Sequence, residues 1–307
     1  MRTRRDAVQP VSSPSALPAL ADEPVARVAR RQRRIPLPVW LFLGVLALIV
    51  LTAVFAPLLA PYDPAVGALS GRLAKPAFLS GDPTYLLGAD GLGRDVLSRM
   101  LWGARISLTV GFAAVLVGGL SGSLLGLLAG YFGGWLDETI MTLGDMQLAF
   151  PFILLAIAVI AVLGPSLRNL IIVVGISGWV TYARIARAQV LTVKEQEFVT
   201  AERAIGGTAS RILFRHILPN IAASLIVVAS LDLARTIILE STLSFLGLGV
   251  QPPTASWGGM LGEGREYLNT AWWISTFPGI LLTLTTISIS RIGDWLRDVL
   301  DPTMRNV

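Results

Sequence analysis

Few ionisable side chains that could do chemistry lie in the apolar parts of this chain. Asp232, Arg235 and Glu240 share one apolar run. Asp232 and Arg235 are three residues apart, a spacing that places two side chains on the same face of a helix. Charged groups in such a run usually face a protein interior or a water-filled cavity. They therefore either line a pathway through the protein or fix contacts between helices, and the sequence leaves both interpretations open.

The residues needed for most catalytic and metal chemistry are missing. The chain has no cysteine and one histidine, His216. Disulfides, thiol catalysis and Cys-ligated metals are therefore excluded, and a His-built metal site or protease triad lacks its components. The phosphate-binding pattern Gly-x-x-x-x-Gly-Lys-Ser/Thr is also absent. We predict no catalytic residue, no metal site and no cofactor bound by this chain.

The composition indicates a membrane protein. Of the 307 residues, 53% are hydrophobic and 15% are charged, whereas soluble domains carry about 25% charged residues. A helix that crosses a bilayer needs about 20 apolar residues. The runs of this length predict an all-α polytopic membrane protein with six transmembrane helices. The predicted spans are residues 37–59, 106–130, 140–163, 170–188, 221–245 and 272–292.

The distribution of basic residues predicts the orientation. Of the 25 Lys and Arg residues, eight lie in residues 1–34, six between the fourth and fifth spans, and three near the C-terminus. With six spans these regions share one side, which the positive-inside rule assigns to the cytoplasm. The positive charge therefore indicates topology and not nucleic-acid binding. We predict a disordered cytoplasmic tail over 1–34, a transmembrane domain over 35–302 and a cytoplasmic tail over 303–307.

Two further patterns concern packing and the outer loops. A glycine every four residues in the second span predicts close approach of another helix, either within a bundle core or at a subunit interface. These glycines are Gly118, Gly122, Gly126 and Gly130. The stretch "DVLSRMLWGARI" predicts an amphipathic helix in the outer interface that leads into the second span. In the Gly- and Pro-rich loop after the fifth span, we expect Trp257 to lie near the headgroups.

The loop over residues 193–219 is polar although apolar runs flank it. Its pattern predicts a surface helix from Val193 to Ile205, a bend at Gly206 and Gly207, and a second short helix from Ala209 to His216. Leu218 and Pro219 are expected to end that helix. A basic loop that rests on anionic lipid is the alternative for such a segment.

The stretch "EFVTAERAIGGTASRILFRHILPN" resembles the cytoplasmic "EAA" loop of binding-protein-dependent ABC importer permeases. Ala201, Gly206, Leu218 and Pro219 match its pattern. Thr200 stands for the glutamate of the pattern and Glu202 for its second alanine. The resemblance implies that this segment is a coupling helix that docks on a partner ATPase. The residues it assigns to docking are Thr200, Ala201, Glu202, Arg203, Ala204 and Gly206, with Gly207, Leu218 and Pro219 shaping the loop.

Other stretches resemble the second ("C-type") permease of dipeptide and oligopeptide importers. They include "FAPLLAPYDP", "LLGADGLGRDVLSRMLWGARISL", "ESTLSFLGLGVQPPTASWGGML" and "GDWLRDVLDP". The resemblance implies the type I ABC importer permease fold in the bacterial cytoplasmic (inner) membrane. It also implies four kinds of partner: a second related permease, two ATP-binding subunits that hold ATP and Mg²⁺, an extracytoplasmic solute-binding protein, and membrane lipid.

The resemblance leaves the cargo open. Importers of nickel, opines or glutathione resemble the same branch as the peptide importers. An ion-coupled secondary transporter is a rival from another class, but it would favour inverted repeats around midplane polar sites, and the sequence has no evident internal repeat. The expectation is therefore an ATP-driven peptide importer, in which this chain forms half of the translocation pathway.

Overall fold

The computed structural model describes residues 36–300, and the predicted tails at 1–34 and 303–307 lie outside these residues. The described part is helical, with one isolated β-bridge between Ala89 and Asp95. The helices are α1 Leu37–Val54, α2 Ala56–Leu59, α3 Ala77–Ser80, α4 Val96–Phe132, α5 Gly134–Ala149, α6 Phe152–Leu163, α7 Leu167–Val193, α8 Glu197–Ala204, α9 Ala209–Arg211, α10 Leu218–Phe245, α11 Trp257–Gly264 and α12 Trp273–Leu300.

Five of these helical segments are long and apolar enough to cross a membrane, and α5 with α6 provides a sixth if the pair counts as one span. The two helices of that pair are bent by 92°. The span predicted over 140–163 therefore consists of two helices that meet at a sharp bend. Pro151 lacks a backbone N–H, and its ring holds the preceding residue, Phe150, in an extended conformation. The helix must stop there and restart.

The second long helix, α4, begins ten residues earlier than the predicted span. Asp95 caps its N-terminus, since its side chain accepts a hydrogen bond from the backbone N–H of Ser98 at 2.7 Å. Val96, Ser98 and Arg99 in the first turn are buried. The predicted interfacial helix is therefore the buried start of α4, because its polar face finds partners inside the protein.

The glycine stripe belongs to the packing of α4 against α7. A Cβ atom at Gly118 would lie 2.5 Å from the carbonyl oxygen of Gly175, and one at Gly126 would lie 2.3 Å from that of Ala183. The contacts advance together along both helices, so α4 and α7 run in the same direction. The absence of side chains lets the two backbones touch. The stripe therefore serves the core of this chain and not a contact between subunits.

The predicted break at Leu218 and Pro219 does not occur. Residues Ile212–Ile217 form a π-helix that continues from α9 into α10, and the helical segment runs unbroken from Ala209 to Phe245. Pro219 occupies the first turn of α10, where a missing N–H is tolerated. The backbone N–H of Leu218 reaches back five residues to Leu213, as is characteristic of a π-turn. The second short helix is thus the base of the fifth span.

The loop before α11 also differs from expectation. Trp257 is fully buried, and its indole N–H donates to the carbonyl of Met100 at 3.1 Å. The side chain of Ser256 caps α11 by accepting from the N–H of Gly259. Trp257 therefore anchors the loop to α4, because its indole N–H finds an acceptor in the interior, and its side chain is not exposed on the surface of this chain.

Candidate functional site

The short helix α8 lies on the surface and is seated by two side chains. Of its eight residues, Val199 and Glu202 are buried. Val199 belongs to an apolar cluster with residues from four other helical segments, which are Leu127 of α4, Tyr182, Ala186, Val190 and Val193 of α7, Ile212, Leu213 and Ile217 of the π-helix, and Ile221 and Leu225 of α10. A force on α8 would therefore be passed to the ends of three long helices.

The opposite face of α8 is free in this chain. Thr200, Ala201, Arg203 and Ala204 are exposed, and Ile205, which follows the helix, is 77% exposed. An exposed, large apolar side chain beside small residues and one cation is typical of a surface that a partner covers. The residues predicted for docking thus lie together on one face, with Glu202 as the exception.

Glu202 points into its own chain. Its Oε1 atom lies 2.8 Å from Nε of Arg211, and its Oε2 atom lies 3.5 Å from Nε2 of His216. These are ion-pair distances without hydrogen-bond geometry, because neither Glu202 Oε1 nor His216 Nε2 has a hydrogen-bond partner. The expectation that Glu202 contributes to the docking surface does not fit this position, since its carboxylate is buried against two basic side chains.

The two glycines after α8 have different roles. Gly206 has φ +84° with open space around it, a backbone conformation that favours glycine. At Gly207 the reason is crowding, since a Cβ atom there would lie 2.7 Å from Cγ and Oε1 of Glu202. The backbone N–H of Gly207 also donates to the carbonyl of Glu202 at 2.9 Å. The predicted bend is present, and it packs against the Glu202 side chain.

The charged residues of the fifth span fall into two separate groups. Asp232 accepts a hydrogen bond from the hydroxyl of Tyr182 on α7 at 3.2 Å and lies 3.7 Å from Nη1 of Arg235. The Arg235 side chain is half exposed. Glu240 is fully buried and accepts hydrogen bonds from Ser241 and Ser244. Asp232 therefore joins α7 to α10, and Glu240 is satisfied within the bundle.

A second polar centre, at the opposite ends of the long helices, was missed by the sequence reasoning. Arg94 donates through Nε to Asp90 and through Nη2 to Glu263, both at 2.7 Å, and Arg99 pairs with the same two carboxylates. Asp90, Arg94 and Arg99 are buried. We call these four residues the Asp90–Glu263 cluster. The i, i+4 spacing of Asp90 and Arg94 could have indicated the ion pair between them. Glu263 is 164 residues from Arg99, and only the fold brings these two side chains together.

The electrostatics of the Asp90–Glu263 cluster are balanced by two arginines and two carboxylates. Burial disfavours the charged form of Asp90, but the Arg99 guanidinium and the backbone N–H of Arg94 outweigh it and hold the pKa of this carboxyl below its ordinary value. The cluster borders a cavity of about 620 Å³ that Arg265 and Glu266 also line. It ties the loop before α4 to α11.

The apolar helices and the small surface helix seated on them define a multi-pass membrane protein with an exposed short helix at one end. A solved structure titled as an inward-facing conformation of the MetNI methionine ABC transporter has the same fold. Its TM-score is 0.53 at 18% identity, covering 67% of this chain and 97% of that chain.

Sequence comparisons identify the family. The family described as "Binding-protein-dependent transport system inner membrane component" matches residues 122–306, and the N-terminal TM domain of oligopeptide transport permease C matches residues 27–76. The chain is 45% identical to the di/tripeptide transport system permease protein DppC of Pseudomonas aeruginosa, over 84% of this chain and 86% of that protein. It is 42% identical to a dipeptide transport system permease of Alkalihalophilus pseudofirmus, over 86% and 87%.

This chain belongs to the family of binding-protein-dependent transport system inner membrane components. It is a non-catalytic, multi-pass permease subunit of the inner membrane with the fold of a type I ABC importer permease. Membership implies that it works with an ATPase and a substrate-binding protein. The family indicates no cofactor for the permease chain itself. Within residues 36–300, no group of three or more His, Asp or Glu side chains could hold a metal ion.

Proposed function

We propose that this chain forms half of the translocation pathway of an ATP-driven importer of di- and oligopeptides, and that α8 is the coupling helix on which one ATP-binding subunit docks. The other half of the pathway is a second related permease. Two ATP-binding subunits carry ATP and Mg²⁺, and an extracytoplasmic solute-binding protein delivers the peptide. The observation that carries this proposal is the geometry of α8, which has an exposed outer face and an inner side chain, Val199, in the apolar cluster that α4, α7, the π-helix and α10 share.

The motion of the ATPase reaches the pathway through named contacts. A displacement of α8 would push Val199 against Ile212, Leu213 and Ile217 of the π-helix. Since the π-helix continues into α10, that push tilts a helix that spans the membrane. The chain then acts as a two-state element, whose states are biased by the ATPase at one end and by the binding protein at the other.

The orientation proposed has α8 and both chain ends in the cytoplasm. The basic residues near α8 support it. Arg184 and Arg187 lie towards the end of α7, and Lys194, Arg203, Arg211 and Arg215 follow between α7 and α10. Lys and Arg are retained on the cytoplasmic side of membrane proteins. The Asp90–Glu263 cluster then lies on the extracytoplasmic side, where the binding protein would approach.

Peptides are the cargo that the relatives support best. The two relatives described above are named for di/tripeptide and dipeptide transport, and each aligns with more than four-fifths of this chain. Nickel, opine and glutathione remain alternative cargoes within the same branch. Binding of labelled peptides to the cognate solute-binding protein, followed by uptake into vesicles that hold the complete complex, distinguishes them.

The docking assignment is tested by cysteine crosslinking. The chain lacks cysteine, so Ala201→Cys introduces a single thiol on the exposed face of α8. With a cysteine in the cleft of the ATP-binding subunit, we expect a disulfide-linked pair whose yield changes when ATP binds. Val162→Cys is the matched control, since Val162 is 84% exposed but lies at the end of α6, which leads into the start of α7, whereas α8 follows the end of α7. Normal peptide uptake with no crosslink from Ala201 to any ATPase would contradict the proposal.

A further inference from the structure

We propose that Glu202 is a positioning residue that braces α8 against the base of α10 from inside this chain, and that this brace transmits the ATPase stroke. The inference rests on α8 being the coupling helix, as proposed above. It assigns Glu202 a role distinct from docking, since its carboxylate faces Arg211 and His216 and not the outside.

The Glu202 side chain is one of only two buried side chains by which α8 contacts the rest of residues 36–300. Val199 supplies an apolar contact with the bundle, and Glu202 supplies the other buried side chain of the helix. An apolar contact alone is non-directional and permits sliding, because hydrophobic attraction depends on buried area and not on orientation. The carboxylate adds a fixed direction, since a buried charge without its counter-charge is strongly unfavourable.

The two basic partners lie beyond the bend. Arg211 ends α9, and His216 belongs to the π-helix that leads into α10. The ion pairs therefore span Gly206 and Gly207, the segment where the backbone turns. Without them, a push on α8 could be absorbed by rotation about Gly206, which has no neighbour within 4 Å of a Cβ position. With them, α8 and the base of α10 move as one body.

The surrounding packing is built around the Glu202 side chain. Gly207 leaves the space that its Cγ and Oε1 atoms need. One turn before Glu202, the ring of Phe198 lies 6.3 Å from the ring of His216. The preceding turn of α8 therefore also faces the π-helix. Glu202, Gly207 and His216 thus form one interlocked contact between α8 and the fifth span.

The test measures coupling in the assembled transporter. Glu202→Gln keeps the shape of the side chain but removes its charge. At equal amounts of assembled complex, we expect the stimulation of ATPase activity by peptide-loaded binding protein to fall about threefold to tenfold, near the low end of typical coupling between two sites, since the partner Arg211 is half exposed. Basal ATPase activity and the Ala201→Cys crosslink should persist, because the outer face of α8 is unchanged.

Two further variants identify the brace as the cause. Arg211→Gln should also reduce stimulation, and the double variant should be no worse than Glu202→Gln alone, since Glu202→Gln already removes the contact with Arg211. Glu197→Gln is the matched control, because it removes an exposed carboxylate from the first turn of α8 and should leave stimulation unchanged. If Glu202→Gln fails to fold, Arg211→Gln and its effect on stimulation carry the test.

The possible failures are distinguishable. Unchanged stimulation in Glu202→Gln or Arg211→Gln would overturn the brace and leave the coupling-helix assignment intact. A second outcome is that Glu202→Gln, but not Arg211→Gln, loses both the Ala201→Cys crosslink and co-purification with the ATP-binding subunit. That outcome would overturn the brace and indicate direct contact between Glu202 and the ATPase. Absence of the Ala201 crosslink in the chain that retains Glu202 would instead refute the proposed function.

Discussion

Gly122 of α4 faces the carbonyl oxygen of Trp179 of α7 so closely that a Cβ atom at residue 122 would lie 2.2 Å from that oxygen. A side chain cannot be accommodated there by a rotamer change, because the obstacle is backbone. The relationship fixes the separation of α4 and α7, the most extensively packed pair of helices in residues 36–300. It also gives the first of five predictions.

Replacing Gly122 with valine should force α4 and α7 apart. Forced overpacking of a core costs about 1–3 kcal/mol, and the apolar cluster around Tyr182 and Val190 should loosen with it. We expect a lower thermal midpoint for the detergent-solubilised complex, measured by size-exclusion chromatography after heating. Gly44→Ala is the control, since no atom lies within 4 Å of a Cβ there and alanine favours a helix. Equal midpoints for both variants would contradict this packing.

Neutralising Asp90 should destabilise the end of the protein opposite to α8. Asp90→Asn removes a charge that Arg94 and Arg99 share, and breaking a buried ion pair from one side costs about 3–5 kcal/mol. We expect a lower thermal midpoint and faster proteolysis of the loop before α4. Glu266→Gln neutralises an exposed carboxylate beside the same cavity and should change neither measurement. A wild-type midpoint in Asp90→Asn would show that the Asp90–Glu263 cluster is not stabilising.

The same cluster predicts a direction for acid sensitivity. The pKa of Asp90 in the folded protein is lowered from its ordinary value of 3.8. Above pH 3.8 the charged Asp90 carboxylate therefore makes its full contribution to the free energy of unfolding. As the pH falls from 3.8 through the lowered pKa, the carboxylate is protonated and this contribution is lost. Asp90→Asn should abolish this part of the acid dependence, so that the thermal midpoints of variant and wild type converge at low pH. A constant difference at every pH would contradict the assignment.

Removing the Tyr182 hydroxyl should weaken the link between α7 and α10. Tyr182→Phe deletes the hydrogen bond to Asp232, seen at 3.2 Å, and leaves that carboxylate with Arg235 at 3.7 Å. A loss of about 1–3 kcal/mol is expected when a partly buried acceptor loses its donor. Tyr131→Phe serves as the control, since the Tyr131 hydroxyl donates no hydrogen bond to any residue within 36–300. Thermal midpoints report the stability, and peptide uptake tells whether Asp232 also lines the pathway.

Replacing Gly206 should uncouple the ATPase. Gly206→Val places a β-branched residue at φ +84°, which costs about 1–2 kcal/mol or more. The bend after α8 would relax and displace the docking face, so stimulation of the ATPase by loaded binding protein should be lost. Gly81→Val introduces the same strain at φ +75°, also in open space, but far along the chain from α8. It should reduce stability similarly and leave stimulation intact; equal loss of stimulation in both would contradict the assignment.

Several features could be read from the sequence because they depend on neighbours along the chain. Apolar runs long enough for a bilayer, the bend at Gly206 and Gly207, and the small-residue stripe in α4 are local patterns. The resemblance to importer permeases also came from contiguous motifs, and the family match confirmed it. Only the partner of the glycine stripe was left open, since a stripe shows that a backbone approaches but not which one.

Other features required the tertiary structure because they depend on residues that the sequence places far apart. The Asp90–Glu263 cluster joins the start of α4 to α11, and nothing near Arg99 in the sequence indicates Glu263. A proline lies both at the bend between α5 and α6, as Pro151, and within the continuous helical segment 209–245, as Pro219. Proline ends a helix where its missing N–H and ring interrupt an established turn, but it is tolerated in the first turn of a new one. The direction of Glu202 was decided in the same way, since a carboxylate on a short helix turns outward or inward according to the cations that the fold brings beside it.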